Sequence, residues 1–297
     1  MMRGWIVLFL AVCMCGCKAA GKLAERGLGD LVGEEKAESI MKVADAARKG
    51  FEDLTPGEEY YIGRAVAAHI LQKYAVHEDE HFRHYVNKVG LTVAWSSDRP
   101  ETYGGYHFLV LDTEDPLAYS APGGYIFISK GLVRMMKNEE ELAGVLAHEV
   151  AHVAKKHGLS AIKQSRLMSA FSILVAEGRK YSSDEVKKLA DIYEGALDDI
   201  VTMLVEKGYS RKQEGEADRC GALYTQRAGY DPGGLTSFLD TLREQEGKTF
   251  EIGLVKSHPY PGEREAALKQ HLHDEGLEGR TEGSRTSRFL SMKKLLG

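Results

Sequence analysis

The chain has 297 residues, 43% hydrophobic and 28% charged, which is enough for one large core or two smaller ones. Its formal net charge of -5 excludes the basic footprint of a nucleic-acid-binding protein, so no nucleic-acid partner is expected.

The N-terminus departs from this average. Arg3 is followed by an apolar run, Trp5 to Cys15, of only 11 residues. A membrane-spanning helix takes about 20. A positive start, a short apolar run and small residues after it read as a secretory signal. The sequence Met14-Cys15-Gly16-Cys17-Lys18 resembles a bacterial lipoprotein signal. That resemblance implies a signal peptide over 1–16, cleavage after Gly16, and a lipid on Cys17 that anchors the chain to a membrane. Lys18 stands where similar lipoproteins kept at the inner membrane carry Asp, which points to the periplasmic face of the outer membrane. With Cys17 acylated, Cys220 has no cysteine left to pair with, so stability must come from the core. Residues 17–50, rich in Gly, Ala, Lys and Glu, read as a tether with a short helix over 34–49.

The main domain is expected over 51–275. Thr55-Pro56-Gly57-Glu58 is a helix opening, with Thr as N-cap, Pro at the first helical position and Glu at the third. The helix should run to about Tyr74. Tyr106–Leu111 and Tyr125–Ser129 are β-branched and aromatic runs that read as strands, with Pro116, Pro122, Gly123 and Gly124 punctuating the interval. Helical patterns then follow at about 138–157, 160–178, 184–207, 210–228 and 232–246, and 276–297 reads as a loose tail that ends in a short helix. The expected class is α+β, mostly α-helical, with a small sheet just before the candidate site.

Asn138 as N-cap, with Glu141 three residues on, opens a helix that Gly158 should end. It carries His148-Glu149-Val150-Ala151-His152. Four residues apart at about 100° each, the two imidazoles lie about 40° apart on one face and can meet one ion. Glu149 falls within the apolar stripe of Leu142, Val145, Leu146 and Val153, where an unused carboxylate costs several kcal/mol. Ser210 and Gln213 cap another helix. On it Glu214, Ala217, Asp218 and Gly221 share a face, and the two small residues allow close helix approach. Two His and one Glu leave a fourth position for water, the arrangement of a catalytic zinc. One Zn²⁺ per chain is expected on His148, His152 and Glu214, with Glu149 as general base. Asp218 is placed to accept from the far nitrogen of a ligating His. Glu216 points elsewhere on this helix and is rejected as a ligand.

These residues resemble the gluzincin metallopeptidases of the HtpX and CAAX-prenyl-protease type, in the periplasmic branch of BepA-like and LoiP-like lipoproteins. Three further stretches carry the resemblance. Pro122 to Leu132 is similar to the family strand lining the active-site cleft, and Ala228 to Pro232 to the segment after the third ligand. Ser257 to Arg264 is similar to the C-terminal His-Pro element. The resemblance implies a zincin-type protease domain whose sheet edges the cleft, with Tyr125, Ile126 and Phe127 pairing with an extended substrate. It implies a metalloendopeptidase acting on periplasmic or outer-membrane proteins in quality control. A non-proteolytic assembly factor or chaperone on the same scaffold is the alternative. His258 has three readings: a fourth zinc ligand that holds the enzyme latent, an oxyanion stabiliser, or a loop His that orders the turn before Pro259. Leu117 departs from the Asn that family members carry two residues before the Tyr119 position. His77, His81 and His84 read as a solvated helix face, and Cys220 as a small core residue.

Overall fold

The computed structural model describes residues 55–163, 201–202, 204, 208–245, 257–279 and 281–297, all within one unit of the chain. The signal peptide, the tether with Cys17, and most of the helices expected over 160–178 and 184–207 lie outside the described residues.

Helix α1 (Pro56–Lys73) opens on the expected capping box: Glu58 N–H donates to the Thr55 hydroxyl at 3.3 Å, and Thr55 N–H to the Glu58 carboxylate at 2.8 Å. Helix α2 (Glu80–Trp95) starts under a separate cap, Asp79. His81 and His84 lie exposed on it, while His77 precedes it.

The sheet has three strands, β1 (His107–Leu111), β2 (Ala118–Ala121) and β3 (Tyr125–Ser129), in the order β1-β3-β2. Strand β3 runs parallel to β1 and antiparallel to β2. Strand β2 was not expected, because its four residues between two prolines are too few to show a pattern. The tight turn Pro122-Gly123-Gly124 joins it to β3, with Gly123 at φ 78° and Gly124 at φ 105°, in a region glycine alone adopts readily. Helix α1 touches this turn: a Cβ on Gly63 would sit 1.8 Å from the Pro122 carbonyl oxygen.

This order corrects the substrate strand. Tyr125, Ile126 and Phe127 lie in the central strand, whose main-chain groups are taken by neighbours on both sides. The outer side of β1 is covered too, by the Val76–Leu111 bridge and by Asn87, which donates to Phe108 O at 2.7 Å. Among the described residues β2 has no strand partner on its outer side, and its four residues are buried. Ser129 N–H donates to Leu117 O at 2.9 Å, so by antiparallel alternation Tyr119 and Ala121 exchange ladder bonds with β3. Ala118 and Ser120 therefore turn their main-chain groups outward. Leu117 is itself buried, with its N–H on the Ser129 hydroxyl.

After the short α3 (Lys130–Met135) comes α4 (Glu139–Ala154), the core of the domain. Asn138 caps it, accepting from Glu141 N–H at 2.9 Å, but the Glu141 carboxylate accepts from Lys137 N–H rather than closing a box on Asn138. Every residue from Glu139 to Val153 is buried, so α4 is enclosed on all sides instead of being amphipathic. It ends three residues short of 157: Lys156 takes the left-handed conformation (φ 57°) and α5 (His157–Lys163) begins at once. Helices α6 (Arg211–Arg227) and α7 (Gly234–Gln245) pack against it, and α8 (Pro261–Asp274) packs on α6 and α7.

Residues 276–297 do not form a loose tail. They carry α9 (Gly283–Lys293), with Phe289 and Leu296 buried. Its bases meet the acids that open α4: Arg288 Nε donates to Glu139 at 2.7 Å and Arg285 to Glu140 at 3.0 Å. Tyr85, Tyr230, Asp231 N–H and Ser237 complete the partners of Glu139, Glu140 and Glu141. The three acids also face the positive end of the α4 dipole.

Candidate metal centre

Helix α4 presents His148 and His152 on one face, as their spacing requires. Helix α6 crosses it closely, since Gly221 leaves room for the α4 backbone: a Cβ there would lie 3.0 Å from His148 N. Its capping box, Ser210 with Gln213, is formed. This crossing brings Glu214, in the first turn of α6, to the two imidazoles, and the loop before α8 adds His258.

The four side chains are buried, and one donor atom from each lies within 4.8 Å of the others. His148 Nε2 and His152 Nε2 are 3.0 Å apart. Glu214 oxygens lie 3.5 and 3.4 Å from these two nitrogens. His258 Nδ1 lies 3.2 Å from both His148 Nε2 and Glu214. Donors held tetrahedrally about 2.0–2.1 Å from a zinc ion lie roughly 3.3 Å from one another, so the set fits such an ion. Among the described residues this is the one such cluster.

Each of the two α4 imidazoles has a partner on its far side. His148 Nδ1 meets Asp218 Oδ1 at 2.9 Å, as expected. Arg264, from α8, locks that carboxylate through Nε at 2.9 Å and Nη2 at 2.6 Å, and its Nη1 reaches Glu214 at 3.0 Å. His152 Nδ1 meets His157 Nδ1 at 2.9 Å, and His157 Nε2 lies 3.4 Å from Glu216. Tyr209 stacks on the His152 ring at 4.0 Å between centroids and 18° between planes, with its hydroxyl 3.5 Å from Ser120 O. The outer edge of β2 therefore borders the cluster.

These contacts set the charges. Burial and the Arg264 charge press the His148 imidazole down, but hydrogen bonds to Asp218 and Glu214 outweigh them and hold it at about 9. Burial drives His152 well below its usual value. Burial also opposes the Asp218 charge, yet Arg264 and His148 bring this carboxyl down to about 2. The same opposition at Glu214 is overcome by His258, Arg264 and the two α4 histidines, which hold it well below the carboxylate range.

Glu149 differs. It is 1% exposed and neither carboxylate oxygen has a hydrogen-bond partner. His258 Nε2 comes within 3.3 Å of Oε1 without hydrogen-bond geometry. A buried carboxylate so placed costs several kcal/mol unless another group completes it.

The structure thus brings together His148, Glu149, His152, Glu214, Asp218 and His258. It leaves Tyr125, Ile126 and Phe127 in the central strand, and Cys17 lies outside the described residues. Three residues were missed. Arg264 closes the His-Pro element, six residues after His258, and a basic residue so near a candidate ligand was the available signal. His157 follows His152 at a spacing that a continuous helix would send elsewhere. Tyr209 offers no local signal.

A family model described as peptidase family M48 matches residues 80–272. The beta-barrel assembly-enhancing protease of Escherichia coli K12 is 25% identical over 247 residues, covering 80% of this chain and 48% of its own length. The metalloprotease YcaL of the same organism is 31% identical over 175 residues, covering 59% of this chain and 63% of its own. The mitochondrial metalloendopeptidase OMA1 of Schizosaccharomyces pombe is 28% identical over 173 residues, covering 58% of this chain and 48% of its own. The chain spans about half the length of most of these curated relatives.

Proposed function

Because the chain belongs to peptidase family M48, we propose that it is a zinc-dependent metalloendopeptidase that hydrolyses peptide bonds of periplasmic or outer-membrane proteins in quality control. The observation that carries this reading is Glu149, a buried carboxylate without a hydrogen-bond partner beside four buried residues whose donor atoms lie within 4.8 Å of one another.

One zinc ion per chain would be held by His148, His152 and Glu214, two imidazoles and a carboxylate being a catalytic donor set. When bound, the ion supplies Lewis acidity to a water and to the substrate carbonyl. Glu149 takes the proton of the attacking water and delivers it to the leaving amine. Asp218, fixed by Arg264, keeps the His148 proton on Nδ1 so that Nε2 faces the cluster. An extended substrate pairs with Ala118 and Ser120 on the β2 edge. His258 occupies the fourth donor position and lies against Glu149, so water enters when the His258 loop swings away, and the described arrangement is a latent one.

The domain organisation follows the same reading. A signal peptide over 1–16 precedes a tether over 17–50, lipidated at Cys17 and anchored at the periplasmic face of the outer membrane. The peptidase domain extends from 51 through α9. Support for the location comes from the Met14–Lys18 motif and from the similarity to the beta-barrel assembly-enhancing protease. A purely non-proteolytic assembly factor would have no use for the Glu149 carboxylate.

The test is Glu149→Gln. It should retain one zinc per chain and lose casein cleavage by at least about 100-fold. A variant that cleaves at the parent rate overturns the mechanism. Chaperone activity that survives in both, with no cleavage in the parent, would favour the assembly factor.

A further inference from the structure

We propose that His157 and Glu216 form a positioning relay for His152, fixing the ring in the one tautomer that can face a metal ion. The inference rests on the reading of His152 as a ligand.

His152 turns Nε2 toward the cluster, 3.0 Å from His148 Nε2 and 3.4 Å from Glu214. A ligating nitrogen needs its lone pair, so the ring proton must sit on Nδ1. That atom lies 2.9 Å from His157 Nδ1. Two ring nitrogens at this distance share one proton, so His152 donates and His157 accepts. The proton of His157 is then on Nε2, which points at Glu216 Oε2 3.4 Å away. The donors run in one direction, from the buried cluster to a carboxylate whose side chain is 40% exposed.

The backbone bends to make this arrangement. On a continuous helix a residue five positions after His152 would lie about 140° around the axis, facing away from it. Lys156 breaks the helix in the left-handed conformation, and His157 returns beside His152 with ring centroids 4.9 Å apart. A non-glycine residue in that conformation is strained, and such strain gathers where geometry matters.

The relay also explains why the two ligating histidines are treated differently. His148 meets a carboxylate directly, and buried Arg264 neutralises it. Among the described residues no second arginine faces His152. A carboxylate in direct contact there would add another buried negative charge beside Glu149 and Glu214. An imidazole spacer moves that charge out to solvent and keeps its orienting effect. Helix α6 thus supplies the outer carboxylate for both rings, Asp218 for one and Glu216 for the other.

The test is zinc affinity of the full chain, measured by competition with a chromophoric chelator, with cobalt(II) substitution as a spectroscopic readout. His157→Ala should weaken zinc binding by about 10–100-fold and alter the cobalt ligand-field bands. His157→Asn, whose amide oxygen takes the place of Nδ1 as acceptor, should restore affinity close to the parent. Glu216→Ala should weaken zinc less than His157→Ala. Urea unfolding in excess chelator should separate the two His157 variants little. Parent-like affinity in His157→Ala overturns the relay, as does an Asn variant as weak as Ala, which would make the loss one of packing. A parent chain that takes up no zinc defeats the ligand reading itself, and the relay with it.

Discussion

Arg264 gives the most demanding test of the site's electrostatics. It is buried and stands between two carboxylates that are 1% and 3% exposed, Glu214 and Asp218. Arg264→Met keeps most of the apolar stem and removes the charge. In the metal-free protein both carboxylates then lose their cation, and breaking a buried pair in this way costs about 3–5 kcal/mol. His148, whose pKa is raised to about 9, is protonated at neutral pH and still faces Asp218, which favours the lower end of that range. In the zinc-loaded protein Glu214 has the ion as its counter-charge. Only the hydrogen bonds to Asp218 are then missing, a loss of about 1.5–3 kcal/mol. Urea unfolding with chelator and with saturating zinc measures both. At a slope of about 3 kcal/mol/M the metal-free midpoint should fall by about 1 M, and by less with zinc. A shift under about 0.5 kcal/mol in chelator would refute the reasoning, as would an equal loss with and without the ion.

Three further outcomes follow from the geometry. Phe289→Ala should lower stability by about 3 kcal/mol in urea unfolding, since the ring is fully buried under α9; an unchanged midpoint would mean that α9 is not docked. Ser120→Pro should reduce cleavage of extended peptides while leaving zinc content unchanged, because it removes an outward N–H from the β2 edge without breaking a ladder bond; unchanged kcat/KM would return the search for a substrate edge to the other strands. His258→Ala should keep its zinc and cleave faster than the parent, as the fourth donor position opens; slower cleavage would assign the ring to oxyanion stabilisation instead.

The parts of the site legible in the sequence are those fixed by local rules. His148 and His152 follow from a four-residue spacing, and Glu214 and Asp218 from the same spacing on a second capped helix. Glu149 stood out as a carboxylate on an apolar face. The resemblance to the gluzincins supplied His258 and the expected fold. What was not legible depends on distant chain. The edge strand follows from sheet order, which four residues between prolines do not announce. The role of His157 depends on the φ of Lys156, and that of Arg264 on how α8 meets α6. Glu139, Glu140 and Glu141 stand in the first turn of a helix with no local sign of burial, yet all three are buried. Their partners come from residues 85, 230, 231 and 237 and from the C-terminal helix. No local window holds that information, which is why 276–297 looked like a tail.

The same burial decides which part of the site can move. Shifting α4 would strand three acids at its first turn and break the close crossing at Gly221, so the helix carrying His148 and His152 is a fixed floor. The His258 loop is buried as well, with Arg264 Nη1 3.4 Å from His258 O. Tyr260, which follows it into α8, is a non-glycine residue in the left-handed region at φ 65°, with its ring 43% exposed under the Arg211 guanidinium at 3.9 Å. Strain at that joint is relieved by rotation, while Arg264 can stay on Asp218 as the loop leaves. On the latent reading proposed above, opening would belong to the Ser257–Tyr260 segment, with His148, His152 and Glu214 left in place behind it.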